Sequence, residues 1–206
     1  MAEELLAGHS RFRATYAADE REFLRRLAEE GQRPRALFIG CSDSRVVPEL
    51  LTGARPGDLF VVRNVANRVP PWDDHDDGVA AAVEFALGQL GTPDLIVCGH
   101  DGCGGVSAAL DSQPAGRSRS RLDRWIRGIE PAVARARQEG GTGEQLLPRA
   151  VEENVLEGLA NLAAYPVVAR ARSAGRVRLH GWVYDLVETL VRVYDPARGT
   201  FVLPEV

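Results

Sequence analysis

Three short apolar runs limit what this chain can fold into more than any other feature of its sequence. They occupy Ala36–Ile39, Leu59–Val62 and Leu95–Cys98. Short runs without alternating polar residues are typical of strands buried on both faces of a sheet. Gly40 and Gly99 directly follow the first and the third run, and we expect both strands to end at these glycines.

The segments between and after these runs predict helices. Residues 78–90 are rich in good helix formers, and residues 104–111 are also expected to be helical. A helix over 121–139 is expected to break at Pro131, and an amphipathic helix over Asn154–Tyr165 is expected to stop at the proline that follows it. A strand, a helix and a strand in succession predict a parallel sheet with right-handed crossovers.

The two ends of the chain differ from its centre. Residues 1–31 contain two predicted helical stretches, and Asp19 and Glu22 form a capping-box pattern. Residues 176–185 and 189–194 alternate with period two, which favours strands added at a sheet edge. The predicted fold class is therefore α/β, a mainly parallel central sheet flanked by helices, with an N-terminal helical arm and a C-terminal edge strand.

Length, charge and cysteine usage exclude several classes of protein. A chain of 206 residues with 45% apolar composition suits one domain, over 1–206. A net charge of -4 argues against nucleic acid as a partner, and the mixed charges of the N-terminus argue against a signal peptide or membrane span. We therefore expect a cytoplasmic protein, either free or packaged in a microcompartment. The odd cysteine count, three, argues against a disulfide framework and for reduced thiols.

Reactive side chains follow two of the predicted strands. Cys41 comes directly after the first, and His100 and Cys103 lie in a glycine-rich turn after the third. Ligand sites form at the carboxyl ends of strands in open parallel sheets, so these side chains can reach one ion. Two thiolates and an imidazole select zinc, and three ligands leave the fourth position of a catalytic zinc open.

Two alternatives to a catalytic metal remain open at this point. Cys98 lies two residues before His100 and could be a fourth ligand, which would make a closed structural site. If Gly99 ends the strand, Cys98 is instead buried as a small apolar residue. The thiols could also pack in a core without binding any metal.

Asp43 and Arg45 lie two and four residues after Cys41 and are interpreted with it. Such a pair is most often an ordinary surface ion pair. Beside a zinc ion, Arg45 could keep Asp43 ionised and turned away from the metal, so that Asp43 accepts a hydrogen bond from the zinc-bound water. If the pair breaks, Asp43 could become a fourth ligand and close the site.

These residues resemble the signature of the beta-class carbonic anhydrase family. In that family Cys-x-Asp-x-Arg is followed by His-x-x-Cys, and the matching residues here are Cys41, Asp43, Arg45, His100 and Cys103. The resemblance extends from Gln32 to Phe201. It includes the segments Gly57–Asn67, Val97–His100, Cys103–Gly105, Glu153–Val155 and Leu179–Asp185.

The resemblance implies an enzyme, a carbonic anhydrase that reversibly hydrates carbon dioxide to bicarbonate and a proton by means of zinc-bound hydroxide. It implies Zn²⁺ as the cofactor. The implied substrate pocket has Gln32 and the backbone amide of Gly104 as hydrogen-bond donors, and Phe60, Val65 and Phe85 as an apolar wall. A small linear apolar substrate suits a dry pocket with one or two donors.

The resemblance also implies a homo-oligomer, a dimer or a tetramer, in which the pocket is completed between copies and the N-terminal arm wraps the partner. Some family members are inhibited by bicarbonate in a second pocket made by a tryptophan, an arginine and a tyrosine. Arg63 and Tyr184 match that pocket, but Phe38 replaces the tryptophan, so we expect a site that stays open.

Two rival functions remain open from the sequence. A zinc hydrolase with the same fold could act on carbonyl sulfide or carbon disulfide. A binding or shell protein stabilised by zinc would have no use for the Asp43–Arg45 pair, which argues against it. His75, within a run of aspartates, is interpreted as part of a solvated loop and His180 as a structural histidine.

Overall fold

The computed structural model describes residues 1–74, 77–111, 120–138, 140 and 142–205. Its centre is a six-stranded sheet with the strand order β2-β1-β3-β4-β5-β6. The strands are β1 Ala36–Cys41, β2 Leu59–Asn64, β3 Asp94–His100, β4 Arg178–Tyr184, β5 Val191–Asp195 and β6 Thr200–Val202. The first four strands are parallel, and β5 and β6 continue the sheet in antiparallel pairing. The predicted mainly parallel α/β fold is confirmed.

Helices surround this sheet. They are α1 Ala2–Ala14, α2 Tyr16–Asp19, α3 Arg21–Glu30, α4 Pro48–Thr52, α5 Asp77–Gly88, α6 Gly104–Asp111, α7 Arg121–Arg127, α8 Glu130–Gln138, α9 Leu146–Ala164 and α10 Pro166–Ser173. Short 3-10 turns occupy Val65–Asn67 and Gly143–Gln145. Within the described residues, no helix is long and apolar enough to cross a membrane.

The prediction that Gly40 and Gly99 end their strands is wrong. β1 continues through Gly40 to Cys41, and β3 continues through Gly99 to His100. Both glycines instead leave room for a neighbouring side chain. A Cβ atom on Gly99 would lie 2.8 Å from Val155 Cγ2, so the absence of a side chain lets α9 approach the sheet closely.

Several predicted helix boundaries also need correction. The break between α7 and α8 falls before Glu130, and Pro131 lies in the first turn of α8, where a missing backbone N–H is tolerated. α9 begins at Leu146 and not at Asn154, because its amphipathic pattern extends further upstream. The arm has three helices, and Asp19 makes no capping bond; the capping box lies at Ser120 and Asp123.

The two faces of the sheet are packed differently. The larger core lies between one face and the flanking helices, and Leu37, Ile39 and Val97 belong to it. The opposite face carries a small cluster in which Phe38 packs edge-on against Trp182. Helices α1, α2 and α3 contain no buried residue. The N-terminal arm therefore adds nothing to the core of its own chain.

Candidate metal centre

Three side chains with soft or imidazole donors meet at one edge of the sheet. Cys41 is the last residue of β1, His100 is the last residue of β3, and Cys103 directly precedes α6. One donor atom from each of them lies within 4.8 Å of the others, and all three residues are buried. The sulfur atoms of Cys41 and Cys103 are 4.0 Å apart.

The sheet topology brings these residues together. β1 and β3 are adjacent and parallel, with Gly40 paired to Cys98, so their carboxyl ends lie side by side. Gly102 then adopts a left-handed conformation with φ 65°, which favours glycine. This turn brings the chain back, so that Cys103 lies next to the two strand ends.

The hydrogen bonds of His100 leave one ring nitrogen ready for a metal. Nδ1 lies 3.0 Å from the carbonyl oxygen of Asp101, and because a carbonyl only accepts, Nδ1 carries the proton. Nε2 is then unprotonated in the neutral ring. It is buried and has no hydrogen-bond partner in the part of the chain that the structure describes. A buried polar atom without a partner is costly unless something absent from the protein chain binds it.

The two thiols shift each other's pKa in opposite directions. A hydrogen bond with Cys103 lowers the pKa of Cys41 below its usual range. The same contact with Cys41, together with burial, raises the pKa of Cys103 well above the usual range. Two thiolates this close repel each other unless a cation lies between them. The donor set therefore fits a soft divalent metal with an open fourth position.

Cys98 does not belong to this donor set. It lies on β3 one pleat below His100, about 6.6 Å along the strand. Its thiol donates a hydrogen bond to the Gly99 carbonyl at 3.4 Å, and burial raises its pKa to about 12. Cys98 is buried as expected, although β3 continues through Gly99, which was expected to end it. A closed site with Cys98 as a ligand does not fit this geometry.

Asp43 is held beside the three donors by Arg45. The guanidinium donates from Nε to Oδ1 at 2.9 Å and from Nη2 to Oδ2 at 2.7 Å, and the backbone N–H of Arg45 adds a bond of 3.0 Å. These bonds hold the pKa of Asp43 well below its usual range. Oδ2 of Asp43 remains 3.8 Å from Nε2 of His100. The carboxylate is thus ionised and close to the donors.

Arg63 holds the segment that carries Cys41 and Asp43, a role that sequence reasoning missed. It donates from Nε to the Cys41 carbonyl at 3.0 Å and from Nη2 to the Asp43 carbonyl at 2.7 Å. The same residue was matched only to the bicarbonate pocket of the family. The other two residues compared with that pocket lie on neighbouring strands. Phe38 packs its ring over Gly40, where a Cβ atom would lie 2.8 Å from the ring. Tyr184 pairs with His100 in the β3–β4 register.

The five predicted substrate residues fall into two groups. Val65 and Gly104 lie at the metal end: Val65 follows β2 directly, and Gly104 follows Cys103 and begins α6. Next to Val65 is a cleft of about 680 Å³ that Val62 and Trp125 also line.

Gln32, Phe60 and Phe85 form the second group. Gln32 is exposed and precedes β1, whereas Cys41 ends it, and a strand of this length spans about 16 Å. Phe60 lies near the beginning of β2, opposite Leu37. It stacks on Phe85 with ring centroids 5.7 Å apart, and Phe85 is 45% exposed. One chain therefore does not bring this group to its own metal end.

The remaining histidine predictions have separate outcomes. Nε2 of His180 lies 2.7 Å from Oδ1 of Asp94. Arg178 donates to both oxygens of the same carboxylate, with two bonds of 2.7 Å. The interpretation of His180 as a structural histidine agrees with these bonds. His75 lies outside the described residues.

A parallel α/β sheet with a buried Cys-His-Cys donor set and an ionised aspartate beside it defines a class, the metal-dependent α/β enzymes. Comparison with known proteins narrows the class. The family model described as "Carbonic anhydrase" matches residues 36–191. A carbonic anhydrase of Pseudomonas aeruginosa is 41% identical over 205 residues, which cover 97% of this chain and 90% of that protein.

Two solved structures agree with this match. The beta-carbonic anhydrase CcaA has a TM-score of 0.92 and 37% identity, and the match covers 98% of this chain and 99% of the other. A tetrameric beta-carbonic anhydrase of Sordaria macrospora has a TM-score of 0.84 and 30% identity, with 97% and 98% covered. The chain belongs to the beta-class carbonic anhydrase family. It is an enzyme, and its reaction is the reversible hydration of carbon dioxide to bicarbonate and a proton.

Proposed function

We propose that Cys41, His100 and Cys103 hold a zinc ion and that carbon dioxide is hydrated beside it. The observation that carries this proposal is the buried cluster of one donor atom each from Cys41, His100 and Cys103, all within 4.8 Å of one another. The buried Nε2 of His100, which makes no hydrogen bond with the described residues, supports it. When bound by three protein ligands, zinc acts as a Lewis acid and lowers the pKa of a water molecule in its fourth position.

Asp43 is the residue proposed to orient that water. Its carboxylate can only accept hydrogen bonds while ionised, and Arg45 keeps it ionised. An acceptor fixed on one side of the reacting oxygen directs the remaining lone pair toward the substrate. Arg45 also bonds both carboxylate oxygens of Asp43, which holds the carboxylate beside the donor set without making it a fourth ligand. We therefore propose that the site rests open, with Asp43 becoming a ligand only if the pair breaks.

The pocket for carbon dioxide is proposed to need a second copy of the chain. Val65 and the backbone amide of Gly104 would come from the chain that binds the metal. Gln32, Phe60 and Phe85 would come from the partner, because they lie at the other end of the sheet and leave aromatic surface exposed. A hydrophobic wall from the partner would exclude bulk water from the reacting molecule.

The N-terminal arm supports the same assembly. Its exposed apolar residues include Leu5, Leu6 and Phe12, all on α1, and no residue of α1–α3 is fully buried in its own chain, although Leu27 of α3 packs over Gly57. Helices of this kind gain their stability by packing. We therefore propose a homodimer in which the arm packs on the partner, and a tetramer made of two such dimers, the state of the tetrameric Sordaria macrospora relative.

Replacement of Asp43 by alanine tests the proposed chemistry. The variant should keep one zinc per chain and lose at least about 100-fold in kcat for carbon dioxide hydration. Stopped-flow spectrophotometry with a pH indicator measures the rate, and atomic absorption measures the zinc.

Asp58→Ala is the matched control for this test. Asp58 also pairs with an arginine, Arg35 at 3.2 Å, and also accepts a backbone bond, from Arg55 at 2.9 Å. It lies just before β2 and outside the donor set, so its loss should leave the zinc content unchanged and lower kcat far less than the loss of Asp43. Equal rates for the two variants would contradict the role of Asp43. Zinc-loaded native protein that hydrates carbonyl sulfide but not carbon dioxide would contradict the proposed substrate.

A further inference from the structure

Ala66 lies in a strained conformation directly beside the donor set. It has φ 63° and ψ 29°, the left-handed region that a residue with a Cβ atom rarely occupies, and it is completely buried. It comes two residues after Asn64, which pairs with Cys41 in the β1–β2 register. The pKa of Cys41 is lowered chiefly by the hydrogen bond with Cys103 and further by a backbone hydrogen bond from Ala66. Another backbone bond to this sulfur, from Asp43 N–H, is 3.4 Å long. Backbone strain next to a site is a reason to ask what holds it in place.

Ala66 also contacts the segment that carries the other cysteine. A Cβ atom on Gly105 would lie 2.9 Å from the Cβ of Ala66, so the glycine lets the start of α6 pack directly on Ala66. Gly105 lies two residues after Cys103, in the first turn of α6. Ala66 therefore packs against the segment that follows Cys103 and lies beside the end of the strand that carries Cys41.

Asn154 holds Ala66 from the opposite side. Its Nδ2 donates a hydrogen bond of 2.8 Å to the Ala66 carbonyl, across 88 residues of sequence. Asn154 lies on α9, the longest helix of the described structure, and its side chain is only 4% exposed. A buried amide on a packed helix has few alternative partners, so it fixes the carbonyl that it contacts.

We propose that Asn154 is a positioning residue of the metal centre, which holds Ala66 in its left-handed conformation so that the Ala66 N–H reaches Cys41 Sγ. The inference rests on the proposed zinc site. A hydrogen bond to a thiolate stabilises the charged form against protonation, which favours metal binding near neutral pH, and it also withdraws charge from the sulfur. Outer hydrogen bonds of this kind tune both the affinity for a metal and its Lewis acidity. Asn154 would thus act on the metal through a backbone amide.

Asn161 provides the matched control. It lies on the same face of α9, and its Nδ2 donates a bond of 2.9 Å to the Val69 carbonyl, in the same loop that contains Ala66. The two asparagines make the same kind of bond, but among the described residues no hydrogen bond joins Val69 to the sulfur of Cys41 or Cys103. Loss of either bond should reduce thermal stability to a similar degree.

The experiment compares Asn154→Ala with Asn161→Ala in two measurements. Zinc affinity is measured by competition with a chromophoric chelator, and we expect Asn154→Ala to bind about tenfold more weakly than Asn161→Ala. In the cobalt-substituted proteins, we expect the thiolate-to-cobalt charge-transfer band of Asn154→Ala alone to move to longer wavelength, because its sulfur has become richer in electrons. Equal affinities and identical bands in the two variants would overturn the inference.

A measurement on the native protein covers the case in which Asn154→Ala does not fold. Cadmium-113 replaces zinc, and the scalar coupling between the metal and backbone amide protons is measured by NMR. Coupling to the Ala66 amide proton is expected, and its absence, with coupling to the Asp43 amide present, would overturn the inference. If the native chain binds neither zinc nor cadmium, the proposed metal site fails instead, so the two failures are distinguishable.

Discussion

The two ends of the sheet contribute differently to the proposed active site, because the residues at the carboxyl end are buried and those at the amino end are partly exposed. At the carboxyl end, Cys41, His100 and Cys103 are buried, and Arg45 and backbone groups hold the surrounding residues. At the amino end, Phe60 and Phe85 stack on each other, and nearly half of the surface of Phe85 stays exposed. The proposed metal ligands at the carboxyl end therefore come from a single chain. The amino end has exposed aromatic surface that a second chain could cover.

This difference corresponds to two physical requirements of the reaction, one set by the metal and the other by the substrate. A metal needs donors at fixed short distances, which the interior of one folded chain supplies best. A small apolar substrate needs a dry wall that still allows entry, and an interface between two copies can supply it. The metal site should therefore depend on folding, and the substrate pocket should depend on assembly.

The largest expected effect comes from removing a donor at the buried end. In Cys103→Ser, zinc affinity should fall by more than about 100-fold, since losing a ligand costs more than losing one of its outer partners. Carbon dioxide hydration should fall with the zinc content. Cys98→Ser is the control, because Cys98 is equally buried but lies outside the donor set. If both variants lose zinc equally, the distinction between these cysteines is wrong.

A smaller effect is expected from the exposed end, and it tests whether two chains share one active site. Gln32→Ala should lower activity by about 100-fold, because one hydrogen-bond donor to the substrate is lost. When it is co-expressed with Asp43→Ala, half of the randomly formed dimers are mixed. In each mixed dimer one site combines two intact halves.

The mixed preparation should therefore recover roughly a quarter of the native activity, as expected for a symmetric dimer with two shared sites. The separately purified variants, combined in the assay without exchange of chains, provide the control. If each chain builds its whole pocket alone, co-expression will give no more activity than that combination. The difference between the two ends of the sheet would then give no support for a pocket shared between two chains.

The sequence allowed more of the buried end to be predicted than of the exposed end. The strands were found from their apolar runs, and the donors from reactive residue types at the carboxyl ends of neighbouring strands. Both signals are local or follow from the topology of parallel sheets. The roles of Gly40 and Gly99 were misinterpreted because a glycine that makes room for packing looks, in sequence, like one that ends a strand.

The contacts that support the site could not be predicted in the same way. Asn154 and Ala66 are 88 residues apart, and an asparagine on a helix carries no sign of the carbonyl that it will contact. The position of Phe85 far from Val65 likewise depends on which end of the sheet each residue occupies. Such information comes from tertiary packing and not from residue type.

The smallest expected effect concerns a charged cluster at the amino end that should serve stability alone. Asp94, at the start of β3, accepts hydrogen bonds from Arg178 and also contacts His180. The bonds from Arg178 lower the pKa of Asp94. A carboxyl whose pKa is lower in the folded state stabilises the protein above its usual pKa and loses this contribution as the pH falls through the folded value.

Asp94→Asn should therefore reduce the free energy of unfolding at pH 7 by about 1 kcal/mol, a modest value because the Arg178 side chain is 71% exposed. The difference from the native protein should shrink below about pH 4. Urea unfolding at fixed protein concentration measures it, with Glu29→Gln on α3 as the control, because Glu29 also pairs with an arginine but its side chain is 57% exposed. Because Asp94 lies at the end of β3 opposite His100, kcat should not change. A fall in kcat with zinc retained would show that the two ends are coupled, and the separation between folding of the metal site and assembly of the pocket would have to be abandoned.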